Sequence, residues 1–162
     1  AWQKAGIVPD VTTLAKGLGS GVPIGAVLAG PKASDILVPG DHGCTFGGNL
    51  LATAAAEHVL ERLEEGSLLA HVNRVASYLR ASLEKLKAIH PHIVQIRGEG
   101  LMLGMQMRCP VRTIIEECMA EGLLVANAGP DVLRFVPALT ITEAEIDEAV
   151  AILGKVLART SA

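Results

Sequence analysis

Lys16 lies in the run Thr13-Leu14-Ala15-Lys16-Gly17-Leu18-Gly19-Ser20-Gly21, between a short apolar stretch and alternating glycines. A lysine in that setting can be held with its amine in a confined pocket. Desolvation there disfavours an ammonium and leaves a nucleophile able to form a Schiff base. Taken alone, a lysine is more simply a surface cation, so the assignment depends on the rest of the chain. The glycines do not make a nucleotide motif: no G-x-G-x-x-G is present, and Lys16 precedes the glycines where a P-loop lysine would follow them. Glycines after a lysine instead let the backbone turn tightly and approach a ligand closely.

A second cluster is His42-Gly43-Cys44-Thr45-Phe46-Gly47-Gly48-Asn49, just ahead of a helical pattern. The Thr45 hydroxyl and free amides at a helix start suit an anion, while Asn49 or Thr45 could equally do no more than cap the helix. His42 reads as a hydrogen-bonded loop residue. Arg134 interrupts the apolar run Val132-Leu133-Arg134-Phe135-Val136. It either faces solvent from the pleat or, if buried, needs a carboxylate partner, which a substrate could supply bidentately. Arg97 is expected to pair with Glu99 across the strand end. Cys44 and His42 have no orienting partner for thiol catalysis, and the carboxylates fall mostly on polar helix faces, which disfavours glycosidase chemistry.

These residues must be positioned by elements that the hydrophobic periodicity outlines. Residues 1–48 are rich in glycine and proline and read as one or two buried strands, such as Ile24–Ala29, joined by loops. The stripe Leu51, Ala52, Ala55, Ala56, Val59, Leu60 and Leu63 predicts a helix stopping at Gly66. A second helix is expected over 67–90, with Ser67 as N-cap and Pro91 as stop. Strands follow at Ile93–Arg97 and Leu101–Met107. A third helix would open at Pro110 and close at Gly122. Leu123–Ala126 and Val132–Val136 read as further strands, and Thr142-Glu143-Ala144-Glu145 as a capping box opening a last helix. Interleaved helices and short strands give an α/β layer from about residue 67.

The bulk properties exclude several classes. The 162 residues are 50% hydrophobic but only 2% aromatic, so aliphatic side chains must fill the interior. A formal charge of −3 with scattered basic residues argues against a nucleic-acid surface. No run of about 20 apolar residues suggests a membrane span. Three irregularly spaced cysteines fit buried thiols in a reducing compartment, the cytoplasm, and not a disulfide framework or a metal site.

Together, in this order, Thr13–Ala26, His42–Asn49, Arg97–Gly104 and Val132–Leu139 resemble the class III (ornithine-type) aminotransferases, fold-type-I enzymes dependent on pyridoxal 5′-phosphate (PLP). Val125-Ala126-Asn127 leading to Val132–Thr140 is most similar to the branch acting on acetylornithine. The resemblance implies that residues 1–48 are the tail of the large PLP-binding domain, 49–66 a connecting helix and 67–162 the small C-terminal α/β domain. It implies that Lys16 bonds the PLP aldehyde and shuttles a proton. It gives Thr45 the role of reaching the cofactor phosphate of the partner subunit in a homodimer, and Arg134 that of gripping the substrate α-carboxylate. The implied reaction moves the terminal amine of N-acetylornithine to 2-oxoglutarate; ornithine, succinylornithine or 4-aminobutyrate are the alternative amine donors, and a non-catalytic α/β module is the alternative of another kind. Leu50 stands where the family usually has proline. The family's aspartate at the pyridine nitrogen, its aromatic ring on the cofactor and its phosphate loop have no counterpart here, and Asp10 does not match that aspartate. The chain is therefore expected to be the C-terminal part of a longer enzyme, inactive on its own.

Overall fold

The computed structural model describes residues 2–160. The chain divides into two compact units, Ala1–Gly66 and Ser67–Ala162.

The first unit opens with a single helical turn, α1 (Trp2–Ala5), followed by the antiparallel pair β1 (Val11–Ala15) and β2 (Gly25–Ala29), in which Val11 faces Ala29 and Ala15 faces Gly25. A turn of 3-10 helix, Lys16–Gly19, leaves the end of β1 directly. The strands were expected to be buried, and they are not: in each, only the second residue is even half-buried. A two-stranded ribbon has two faces and, within this unit, too little packed against either to exclude water. Helix α2 (Leu50–Glu64) packs on the Lys16–Gly19 turn and buries Ala52 and Ala56. Its start is fixed by Asn49, whose side-chain oxygen accepts the Ala52 N–H at 2.9 Å while its amide donates to the Phe46 carbonyl at 2.9 Å.

The second unit has a four-stranded antiparallel sheet in the order β3 (Ile93–Glu99), β4 (Met102–Met107), β6 (Val132–Phe135), β5 (Ala126–Asn127). Helices α3 (Ser67–Ile89), α4 (Arg112–Ala120) and α5 (Glu143–Arg159) complete the unit. The core joins Val75, Leu79 and Leu83 of α3 to Leu103, Met105 and Leu133 of the sheet and Ile146, Leu153 and Val156 of α5. Alternation along a strand puts successive side chains on opposite faces. Leu103, Met105 and Leu133 thus turn inward, and Gly104 and Arg134 fall on the other face.

Several boundaries differ from expectation. Ser67 is the first helical residue of α3 and not its cap. Val111 caps α4, so Pro110 stands just outside it. Gly122 does close α4: its N–H donates to Met119 O at 3.1 Å, and that of Leu123 to Cys118 O at 2.8 Å, the paired bonds of a Schellman motif. That motif commits Leu123 to the helix end, so the strand expected over 123–126 shrinks to Ala126–Asn127. Thr142 and Glu145 form the expected capping box at α5.

Candidate active site

Lys16 ends β1 in an unusual backbone state. Ala15 is extended, but Lys16 has φ +53 and Ser20 φ +47, the only non-glycine residues with positive φ among those described. A non-glycine residue in the left-handed region costs on the order of 1 kcal/mol or more, and such strain persists where the surroundings over-determine it, often at functional sites. Inside the same turn, a Cβ at Gly19 would lie 2.8 Å from Ile24 Cγ2. Only glycine lets the turn close on the start of β2. The result is a lysine thrown outward at the end of a strand. Its side chain is exposed and makes no hydrogen bond or ion pair with a described residue. The confined pocket expected around it is not formed by the described residues, because the glycines beside it carry no side chains to wall it in.

Thr45 lies in the exposed turn before α2, where Gly47 N donates to Cys44 O at 3.2 Å and Gly48 has φ +69. Asn49 performs the capping, so the helix does not use the Thr45 hydroxyl, which bonds no described residue. The loop from Cys44 to Asn49 and the hairpin residues Pro23, Ile24 and Gly25 line a cleft of about 260 Å³ together with the first turns of α2. The alternating glycines and the second cluster thus meet within one unit, although Lys16 and Thr45 do not themselves line that cleft. His42 is exposed in the same loop and bonds no described residue.

Arg134 belongs to the second unit. On β6 it stands opposite Gly104 of β4 and Ala126 of β5. Of the two readings left open by its sequence context, the solvent-facing one holds: Arg134 is exposed, while its neighbour Leu133 is fully buried. No described carboxylate pairs with it. The expected Arg97–Glu99 pair is also absent. Arg97 bonds no described residue, and its stem leans across β4 instead, with Cγ 3.8 Å from where a Gly104 Cβ would stand. Sequence reasoning took Gly104 only as part of the Arg97–Gly104 turn; the missing Cβ that opens space between two arginines is visible only once the strand register is known.

An uncommitted primary amine, an uncommitted hydroxyl in a glycine-rich turn before a helix, and an uncommitted guanidinium are chemically suited to an aldehyde, a phosphate and a carboxylate. The donor set fits PLP and an amino-acid substrate. Among the described residues, no group of three or more His, Cys, Asp or Glu could hold a metal ion.

Comparison with known proteins agrees with this chemistry. The family model "Aminotransferase class-III" matches residues 1–157. Acetylornithine aminotransferase of Bacillus subtilis is 44% identical over 163 residues, covering 100% of this chain and 42% of the relative. That of Xanthomonas campestris is 48% identical over 155 residues, covering 93% and 38%. The crystal structure of N-acetylornithine aminotransferase from Stenotrophomonas maltophilia superposes with a TM-score of 0.86 at 38% identity, covering 98% of this chain and 42% of that one. The chain thus spans about two fifths of the length of the curated relatives it matches, and its mixed α/β fold is a portion of theirs. A left-handed lysine at a strand end, a free threonine before a helix and an unpaired strand arginine are accounted for together: this chain belongs to the class III aminotransferase family.

Proposed function

We propose that the protein containing this chain is a PLP-dependent aminotransferase that moves the terminal amine of N-acetylornithine to 2-oxoglutarate, giving N-acetylglutamate 5-semialdehyde and glutamate. In this reading it serves arginine biosynthesis in the cytoplasm, and the described cysteines, all free, are compatible with a reducing compartment. Class III aminotransferases depend on PLP. When bound, PLP supplies the electron sink that makes the carbon bearing the amine acidic. The chain's own residues do the rest. Lys16 holds the cofactor through its aldehyde; once freed by the incoming amine, the Lys16 amine takes and returns the proton at that carbon. Thr45 holds the phosphate of the cofactor in the partner subunit of a homodimer. Arg134 orients the substrate by its carboxylate, and a buried charge pair of that kind is worth about 2–5 kcal/mol when one partner is removed. The division of labour follows the notion that residues 1–48 finish the large domain, 49–66 connect and 67–162 form the small domain.

The observation that carries the reading is the backbone at Lys16, strained at the point where the family match requires a reactive amine. Incubation of the full-length protein with PLP, borohydride reduction and peptide mapping should place the adduct on Lys16. An adduct on another lysine, or none, would sink the assignment. Relative kcat/KM on acetylated and free ornithine then decides the amine donor.

A further inference from the structure

We propose that Arg97 and Arg134 together form a two-point anion site, in which Arg97 takes the second carboxylate of a dicarboxylic 2-oxo acid acceptor. The inference rests on the aminotransferase reading and extends it to acceptor choice. It starts from register. Arg97 of β3 stands opposite Gly104 of β4, and Gly104 stands opposite Arg134 of β6. The three residues form one rung on the sheet face that carries Arg134, with the two arginine Cα atoms two strand spacings, or about 10 Å, apart.

Nothing within the described residues neutralises this rung. Both arginines are exposed, and neither makes a hydrogen bond or ion pair with a described residue. Like charges on one rung of a sheet are unfavourable without a counter-ion. The rung is also built with a gap. A side chain at position 104 would meet Val132 Cγ1 at 3.1 Å and the Arg97 stem at 3.8 Å. Glycine there lets Arg97 lie over β4 towards Arg134. The two arginines share a cleft of about 350 Å³ whose other lining includes Glu99, Met102 and Val132, a volume in the range of small-ligand sites.

A guanidinium binds a carboxylate through two parallel N–H donors. One arginine suffices for an acceptor with a single carboxylate; a second, facing the first across a glycine, is needed only for a diacid. A site built to pair a polar group discriminates against the analogue lacking it far more than an apolar pocket does. Arg97 is thus the residue that separates 2-oxoglutarate from 2-oxopentanoate, which has the same carbon chain without the distal carboxylate. Glu99 sits at the β3 end of the cleft and favours placing the diacid towards β6.

The test uses the full-length protein and Arg97→Gln. With cofactor, kcat/KM for 2-oxoglutarate should fall by about tenfold or more through KM, while 2-oxopentanoate and the amine-donor half-reaction change by no more than about twofold. Arg97→Lys should recover part of the loss. Without turnover, calorimetry should show glutarate binding weakened by about tenfold and butyrate binding unaltered. Equal losses on both acceptors, a loss in kcat alone, or undiminished glutarate affinity would each overturn the proposal, as would a purely structural role revealed by a lower melting temperature with unchanged acceptor preference. Should Arg97→Gln fail to fold, Arg97→Lys carries the same comparison. A wild-type protein that transaminates no acceptor defeats the underlying reading, and the glutarate titration still decides this one.

Discussion

At the scale of single residues, the backbone at two positions says more than their side chains. Gly98 has φ +120, and a Cβ there would stand 2.1 Å from the Met102 carbonyl oxygen. No rotamer relieves a clash with backbone, so Gly98→Ala should cost about 3 kcal/mol or more, read as a lower urea midpoint at unchanged slope. In the sequence, Gly98-Glu99-Gly100 looked like a separator between strands. The structure instead carries β3 through to Glu99, because glycine allows the close pairing with Leu103. Lys16 was legible as a reactive candidate by type and neighbours, but its left-handed backbone was not, since lysine has no preference for that region. The cysteines give a second residue-level prediction. Burial in α4, with Glu117 adjoining, pushes the Cys118 thiol up to about 11, so it stays protonated and unreactive near neutral pH. Cys44 is exposed and Cys109 half-buried. Iodoacetamide should therefore label Cys44 first, Cys109 more slowly and Cys118 only after unfolding, as followed by peptide mass spectrometry.

At the scale of elements, the helices were the most legible, and their end signals explain why. Thr142 and Glu145 bond reciprocally: the Glu145 N–H donates to the Thr142 hydroxyl at 3.3 Å, and the Thr142 N–H donates to the Glu145 carboxylate at 2.7 Å. Thr142→Ala should lower stability by about 1 kcal/mol, measured by chemical denaturation. The Thr142 N–H and hydroxyl also hold the Glu145 carboxyl below its ordinary value. A depressed acid stabilises the fold fully above its unfolded value, near 4.5, and that contribution disappears as pH falls through the lower folded value. Glu145→Gln should therefore flatten the acid limb of the stability–pH curve below about pH 4.5 and leave its slope near neutrality unchanged. Strand boundaries were less legible for a physical reason. Leu123, Leu124 and Val125 have strand-like composition, but the Schellman bonds that end α4 use the Leu123 N–H, and a local hydrogen bond of that kind outranks propensity. Pro110 likewise satisfies the rule for a first helical residue, yet Val111 takes the cap.

At the scale of the whole molecule, the two units differ in what they bury. The aliphatic core runs through residues 75–157 and includes Leu83, Leu103, Met105, Leu133, Ile146 and Leu153, each with 1% exposure or less. In the first unit the buried apolar residues are Ala52 and Ala56, while Val11, Val27 and Leu28 of the hairpin are exposed. Apolarity made those strands look buried in the sequence, but burial requires a partner surface, which sequence pattern alone does not provide. Stability should be distributed accordingly, since opening free energy follows local apolar contact. Amide hydrogen exchange should be slowest in α3, β4, β6 and α5 and fast through β1, β2 and residues 30–48. Leu83→Ala, which removes a fully buried side chain from α3, should cost about 2–5 kcal/mol and should accelerate exchange throughout residues 67–160 while leaving that of the hairpin unchanged. Equal acceleration in both units would instead mean that the hairpin and the aliphatic core unfold as one cooperative body.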